Sequence, residues 1–163
     1  MKKYYSVILA LCLISCNKLD EVVYSSLTDD NAFTTAENAQ AAVNSIYAPL
    51  HSLYREPMFY INDIAADTGF KNGNCFEVMN DNSIYNDNRT LVAWNHLYQI
   101  ASRANIVIDR VPEMSDNLFR NGLSKKQMLG EAYFMRAFAY YNLSDVFYRV
   151  PLVTDSRVSP TDK

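Results

Sequence analysis

Residues 124–147 read S-K-K-Q-M-L-G-E-A-Y-F-M-R-A-F-A-Y-Y-N-L-S-D-V-F, and their pattern sets the architecture of the chain. Small and aliphatic residues recur at three- and four-residue spacing, which places them on one face of an α-helix. The members of this face are Met128, Ala132, Met135, Ala139, Leu143 and Val146. Phe134, Phe138 and Tyr141 occupy a second face, and Tyr133 and Tyr140 occupy a third. A helix that is apolar on so many sides must pack between other elements and cannot lie at a surface.

Both ends of this helix carry sequence signals. Ser124 and Gln127 have the spacing of a capping box, in which each side chain satisfies a backbone N–H near the other residue. The helix is predicted to end near Phe147, because Pro151 lacks an N–H and pushes Val150 out of the α region. The residues that follow are then expected to leave in an extended conformation.

Several groups of residues along this stretch match a longer pattern of mixed residue types. They are Gly130-Glu131-Ala132, Arg136-Ala137-Phe138, Tyr140-Tyr141-Asn142-Leu143, Phe147 and Val150-Pro151-Leu152-Val153. Together they resemble the signature helix of the SusD/RagB family. The chain departs from that pattern at Tyr148 and Arg149, where the family usually has a glycine before the Val-Pro-Leu step. The helix therefore lacks its expected C-terminal glycine.

The resemblance covers only the N-terminal portion of the family and implies several properties. SusD/RagB proteins are outer-membrane lipoproteins of Bacteroidetes that work with a SusC-like TonB-dependent transporter in nutrient capture. Their all-α, tetratricopeptide-like helical layer packs against the transporter, and their ligand contacts come largely from loops and the remaining sequence. Their ligands are glycans or, in RagB-like relatives, peptides. Residues 35–163 are therefore expected to form a truncated SusD-like N-terminal helical domain.

The N-terminal residues have the pattern of a lipoprotein signal. Two lysines precede an apolar segment too short to span a bilayer, and residues 13–16 read L-I-S-C, which fits a bacterial lipobox. We therefore expect a signal peptide over residues 1–15, a lipid anchor at Cys16, and a polar tether over residues 16–34. The alternative is an ordinary secretory signal with an incidental cysteine. By resemblance, the protein is expected at the cell outer membrane, lipid-anchored and exposed at the surface.

Apolar spacing predicts two more helices, over residues 35–54 and 90–109. A threonine at position 34 or 35 is expected to cap the first, and Pro49 is expected to kink it or end it early. In the second, Trp94 could be a sugar-stacking platform but more often belongs to a core at this helical position. Asn105 is expected to satisfy a neighbouring backbone group rather than a ligand.

The long irregular loop between the first and second helices, from about residue 62 to residue 89, is the most suggestive region for binding. Loops of this length are usually functional or disordered. Asparagine side chains suit sugar hydroxyls and aromatic rings stack on pyranose faces, so Phe70, Asn72, Asn74 and Tyr85 are the expected ligand contacts on chemical type. The alternative is an Asx-rich turn region whose side chains hydrogen-bond their own backbone.

The sequence gives little support for nucleic-acid binding, metal binding or catalysis. The formal net charge is -3 and no basic stripe is present, which argues against nucleic-acid binding. His51 and His96 lie far apart and lack metal-ligand spacing. The sequence around Asp63 and Asp67 does not mark either of them as a general acid, and nothing near Cys75 in the sequence would lower the pKa of its thiol. The chain is therefore expected to be no enzyme and to hold no metal or cofactor.

Two functional hypotheses follow. In the first, the protein is a surface-exposed lipoprotein that captures oligosaccharides and delivers them to a SusC-like transporter. In the second, it is a truncated helical-repeat module that contacts a partner protein and has no ligand site. Ligand binding by the purified protein distinguishes the two.

Overall fold

The computed structural model describes residues 32–64, 88–120 and 122–156. In chain order, the elements are α1 (Ala36–Arg55), a π-helix (Phe59–Ile64), α2 (Asn88–Arg110), two 3₁₀ turns (Val111–Glu113 and Asp116–Leu118) and α3 (Lys125–Phe147). Within these ranges there is no strand, so the all-α prediction is confirmed. All three long helices begin and end within two residues of the positions that the sequence predicted.

Helix α2 runs antiparallel to both of its neighbours. Its first turn meets the end of α1, where Arg89 Nε lies 2.8 Å from Glu56 Oε1. Near its other end, Asn105 accepts a hydrogen bond from Arg136 in the first half of α3. The last turn of α3 returns to the start of α2, where Phe147 packs against Trp94. Helix α2 is therefore the central element of the layer.

Helices α1 and α3 run parallel to each other and are also in contact. The Tyr47 hydroxyl donates to Glu131 Oε2 at 3.4 Å, and seven residues further along both helices the Tyr54 and Phe138 rings have centroids 6.5 Å apart. The two contacts are seven residues apart in α1 and also seven residues apart in α3, so the two helices run side by side in the same direction. A groove between α1 and α3 follows from this arrangement.

The core lies where the three helices meet. Its largest fully buried side chains are Val43, Ile46, Leu53, Leu97, Ile100, Asn105, Val107, Val111, Met128 and Leu143. Each long helix contributes residues at three- and four-residue spacing, as an amphipathic helix does. At roughly 25 cal/mol for each square ångström of apolar surface removed from water, this burial is the main stabilising contribution.

The expectation that α3 is covered on all sides is wrong. Phe134 and Tyr141 are 66% and 70% exposed, and Tyr133 is also exposed. Within the part of the chain that the structure describes, α1 and α2 pack on two sides of α3, and its remaining side faces solvent. The apolar pattern identified the helix correctly but could not show how many neighbours it has.

Helix α1 continues past Pro49 to Arg55, so it does not end early at the proline. A proline cannot donate to the carbonyl four residues before it, here Ser45 O. Arg103 of α2 donates to that oxygen from Nη1 at 2.6 Å. A long-range partner therefore satisfies the carbonyl that the proline leaves open, and the buried proline is tolerated within the helix.

The capping predictions have mixed outcomes. Thr35 caps α1 as expected, because its Oγ1 accepts from Asn38 N at 3.1 Å. Ser124 is the N-cap of α3, but its side chain makes no capping hydrogen bond, so the predicted capping box is wrong. Gln127 Nε2 donates instead to Glu131 Oε1 at 3.2 Å, one helical turn further along. An i, i+4 pair on the helix surface thus replaces the capping interaction.

Candidate functional site

A buried polar cluster joins α2, α3 and the extended residues after α3. Arg136 Nη1 donates to Asn105 Oδ1 at 3.0 Å, and Asn105 Nδ2 donates to the carbonyl oxygen of Val153 at 2.8 Å. Asn105 is only 1% exposed, so both ends of its amide need these partners. The expectation that Asn105 satisfies a backbone group is confirmed.

Two tyrosines hold the same extended segment. The Tyr140 hydroxyl donates to Val153 O at 2.8 Å and accepts from Val153 N at 2.7 Å, as a neighbouring strand would. The Tyr98 hydroxyl donates to Pro151 O at 2.8 Å. Burial, and to a smaller extent the nearby Tyr140, raise the pKa of Tyr98 to about 12. The Tyr98 hydroxyl therefore remains a protonated donor at neutral pH.

The departure from the signature at Tyr148 has a structural consequence. Tyr148 has φ 64° and ψ -71°, and Arg149 N donates to Phe147 O at 2.8 Å. A hydrogen bond between residues two apart around a central residue with these angles defines a γ-turn, which is strained for any residue with a Cβ. The chain thus makes with tyrosine the sharp turn that glycine would make without strain.

Trp94 belongs to the packed aromatic cluster and is not an exposed sugar platform. Its ring centroid lies 4.8 Å from that of Tyr98, and 4.9 Å from that of Phe147 in an edge-to-face arrangement. Such pairs contribute about 0.5–1.5 kcal/mol each beyond the burial of area. The indole therefore supports the position of the last turn of α3.

The connection from α1 to α2 begins and ends at one cluster of side chains. Arg89 Nε is bonded to Glu56 at 2.8 Å, and its guanidinium carbon lies 3.7 Å from the centroid of the Tyr60 ring. Phe59 is about half exposed and meets Tyr60 edge to face. Tyr60 and Phe59 belong to the π-helix, an element often found next to functional sites.

This cluster fixes both ends of the connection on which the ligand contacts were predicted. Phe70, Asn72, Asn74 and Tyr85 lie outside the described residues, as does the predicted lipid anchor Cys16. Sequence reasoning missed the role of Arg89, because a cation over an aromatic ring 29 positions away has no local signal. The π-helix was missed for a similar reason, since its pattern is too short to distinguish from a loop.

A polar pocket of about 560 Å³ lies between the end of α2 and the segment after α3. Asp109, Arg110 and Glu113 line one side, and residues 154–156 line the other. Ser156 N donates to Asp109 Oδ2 at 3.1 Å across it. The pocket is open and has charges of both signs, and no sequence pattern marked it, because its two walls are more than forty residues apart.

No group of three or more His, Cys, Asp or Glu side chains in residues 32–64, 88–120 and 122–156 is placed to hold a metal ion. His51 is exposed and His96 contacts Gln99 at 3.3 Å. In these same ranges, no helix combines the length and hydropathy required to cross a membrane.

These features define an all-α scaffold in which a signature helix fixes an extended segment and the ends of a long connection are held together. A family model, SusD-like_3, described as "Starch-binding associating with outer membrane", matches residues 19–162. The chain belongs to this SusD-like family. At the family level, this supports glycan binding and association with the outer membrane.

Two curated relatives come from Formosa agariphila. SusD-like protein P38 is 28% identical over an alignment of 174 positions that covers 99% of this chain and 33% of the relative. SusD-like protein P2 is 28% identical over an alignment of 167 positions that covers 94% of this chain and 31% of the relative. The chain therefore spans about a third of the length of the curated relatives that it matches. No solved structure matches the chain.

Proposed function

We propose that this chain is the N-terminal helical part of a surface-exposed lipoprotein that captures glycans and delivers them to a SusC-like TonB-dependent transporter. The observation that carries the proposal is the match to a starch-binding family over residues 19–162. The proposed mechanism is binding and transfer without covalent chemistry.

The ligand contacts are proposed to lie on the connection between α1 and α2. Phe70 and Tyr85 would stack on sugar rings, and Asn72 and Asn74 would exchange hydrogen bonds with hydroxyl groups. Support comes from the base of the connection, where Arg89 bridges Glu56 and Tyr60. A fixed base reduces the conformational entropy lost when a loop orders around its ligand.

Binding is tested by isothermal titration calorimetry of the purified chain with a linear malto-oligosaccharide and by its retardation in native gels that contain starch. We expect Phe70→Ala and Tyr85→Ala to weaken binding by roughly tenfold each, which corresponds to about 1.4 kcal/mol, because each removes the apolar ring face on which a sugar would stack. Asn117→Ala, at an exposed position in a 3₁₀ turn, is the matched control. Unchanged affinity in both Phe70→Ala and Tyr85→Ala would refute the assignment of these two residues as ligand contacts.

A peptide is the other ligand class that the resemblance allows. The same calorimetry with a library of unstructured oligopeptides separates the two classes. Binding of peptides without binding of any glycan would retain the capture function and change its substrate. Binding of neither would favour the alternative, a truncated helical-repeat module that contacts a partner protein, which the exposed aromatic side chains of α3 also support.

Membrane attachment is proposed to occur through lipid on Cys16, which follows the residues L-I-S. Acyl chains contribute about 0.8 kcal/mol per buried methylene, so several chains on one residue give stable anchoring. Cys16→Ser should move the protein from the membrane fraction to the soluble fraction and abolish incorporation of a labelled fatty acid. Cys75→Ser is the control, and retention of label in the Cys16 variant would exclude this anchor.

Delivery to the transporter is proposed on the family resemblance alone. The test is co-purification of a SusC-like transporter with the tagged, full chain from outer membranes of the native host. Recovery of the transporter in proportion to the tagged protein is expected. Recovery of the tagged protein without any outer-membrane transporter would limit the function to capture.

A further inference from the structure

Tyr148, the residue that follows α3, combines a strained backbone with an exposed ring. It is the central residue of the γ-turn, with φ 64° and ψ -71°. Among the residues that the structure describes, it is the only one other than glycine with a positive φ. Its side chain is 80% exposed, and no other large apolar side chain in those ranges is as open to solvent. Burial of the ring therefore does not explain the strain.

Folding gives no reason for a tyrosine in this turn. Glycine would adopt the same angles without strain, because it has no Cβ. An open ring removes little apolar surface from water, so it contributes little to stability. Residues held in sparsely populated backbone conformations cluster at binding sites, where the strain fixes the direction of a side chain. The exposed ring itself is therefore the feature that the turn presents.

The next residue holds this ring in place. The guanidinium carbon of Arg149 lies over the Tyr148 ring, 5.7 Å from its centroid, within the range of about 6 Å for attraction between a cation and an aromatic face. One face of the ring carries the cation, and the exposure of the side chain leaves the other face open. An open aromatic face beside several N–H donors suits a sugar, because the ring packs on the apolar side of a pyranose and the donors reach its hydroxyl groups.

Tyr148 also lies at the end of the helical layer where the connection between α1 and α2 has its base. The preceding residue, Phe147, packs against Trp94 with ring centroids 4.9 Å apart. Trp94 lies about 7.5 Å along the axis of α2 from Arg89. Arg89 in turn bonds Glu56 at the end of α1. The turn after α3 and the base of the connection therefore share one end of the molecule.

We propose that Tyr148 is a ligand contact on which a sugar ring of the captured glycan stacks, and that the strained turn fixes the ring in the direction of the ligand. The inference rests on the proposed glycan-binding function, and it adds a contact that lies outside the connection between α1 and α2. Arg149 is assigned a positioning role, because it holds the ring through its face.

The test is isothermal titration calorimetry of the 163-residue chain and its variants with a linear malto-oligosaccharide. Tyr148→Phe keeps both the ring and the strain, Tyr148→Ala keeps the strain without the ring, and Tyr148→Gly removes both. Tyr141→Ala, at an exposed tyrosine within α3, is the matched control. Urea unfolding of each variant measures its stability separately and shows that it is folded.

Tyr148→Ala and Tyr148→Gly are each expected to raise Kd roughly tenfold, as truncation of an aromatic contact does. Tyr148→Phe and Tyr141→Ala should keep the Kd of the unchanged chain. The glycine variant is expected to lose affinity while it gains stability, whereas a purely structural role for Tyr148 would leave the affinity as it was.

The remaining outcomes separate this proposal from the function on which it rests. If the unchanged chain binds the oligosaccharide and Tyr148→Ala binds it equally well, the assignment of Tyr148 is overturned and the capture function stands. An equal loss of affinity in Tyr148→Phe and Tyr148→Ala would also overturn stacking, because the hydroxyl would then be the contact. If the unchanged chain binds no oligosaccharide, the proposed function fails and the assignment of Tyr148 fails with it.

Discussion

The two sides of α3 have similar composition and opposite environments. The side that faces α1 and α2 is buried and comprises Met128, Ala132, Met135, Ala139 and Leu143. The other side carries Tyr133, Phe134 and Tyr141, which are no less apolar in their rings but are at least half exposed. The apolar pattern of a helix indicates that it packs against neighbours, but it does not show how many of its sides they cover.

Phe134 and Met135 are adjacent in sequence but lie on opposite sides of α3, and their substitution is expected to give the largest difference in stability. Met135 is 2% exposed, so Met135→Ala is expected to lower the free energy of unfolding by roughly 3 kcal/mol through lost burial and a residual cavity. Phe134→Ala removes a larger side chain, yet it should change that free energy by less than about 0.5 kcal/mol, because the ring is mostly exposed. Urea unfolding followed by circular dichroism measures both.

The two substitutions should also differ in their effect on association. Phe134→Ala removes part of the exposed apolar surface and is expected to reduce self-association of the 163-residue chain in sedimentation velocity experiments. Met135→Ala should not have this effect while the protein stays folded. Equal destabilisation by the two variants would mean that the outer face of α3 is packed in solution.

Asn105 allows a similar comparison along α2. Asn105→Ala removes the acceptor of Arg136 and the donor to Val153 O, and leaves both partners in a largely buried site. A loss of about 2 kcal/mol in the free energy of unfolding is expected. Asn95→Ala, on an exposed position of the same helix, is the control and should change it little. An equal loss of stability in Asn105→Ala and Asn95→Ala would contradict the conclusion that the Asn105 cluster holds the extended segment after α3.

Tyr98, a buried residue of α2, makes the stability of the fold depend on pH. The folded-state pKa of Tyr98 is raised to about 12, above the usual value of 10.0, chiefly by burial. Its contribution to stability is therefore complete below pH 10 and is lost as the pH rises from 10 towards 12. Tyr98→Phe should reduce the fall in stability between pH 9 and pH 11.5. Tyr141→Phe, at an exposed position, should leave that fall unchanged, and an identical pH profile in both variants would contradict the assignment.

Local patterns were sufficient to predict the helices. Apolar spacing located α1, α2 and α3 to within two residues, because a helix buries one face at a fixed period. Thr35 was found as a cap from its side-chain type and its position. The task of Asn105 was also predictable, since a buried amide on an apolar face must find a partner. These inferences need only the residues within one or two turns.

The features that the sequence could not predict depend on distant partners. Pro49 stays within α1 because Arg103 of another helix donates to Ser45 O. Gln127 turns away from the cap because Glu131 is available one turn further along. The ligand contacts on the connection between α1 and α2 remain predictions from chemical type. Their base, where Arg89 meets Tyr60, became visible only when both ends of the connection were placed in space.

The turn after α3 offers a smaller effect of the opposite sign. Tyr148 has φ 64°, a conformation that costs a residue with a Cβ roughly 1 kcal/mol or more. Tyr148→Gly is therefore expected to raise the free energy of unfolding by about 1 kcal/mol, after the greater freedom of glycine in the unfolded chain is deducted. Tyr148→Ala removes the ring and keeps the strain, so it separates the two causes. A gain in the alanine variant as large as in the glycine variant would assign the effect to the ring.

Gly130→Ala gives the smallest change and addresses the outer face of α3 most directly. In the 163-residue chain the added methyl group meets no atom within 4 Å, so only the helix propensity changes. A gain of about 0.5–1 kcal/mol in the free energy of unfolding is expected, measured by urea unfolding. Lys126→Ala, on an exposed position one turn earlier, controls for a general effect of alanine on the helix. A gain in Gly130→Ala no larger than that in Lys126→Ala would contradict the expectation, because it would mean that the glycine at position 130 carries no particular cost in helix propensity.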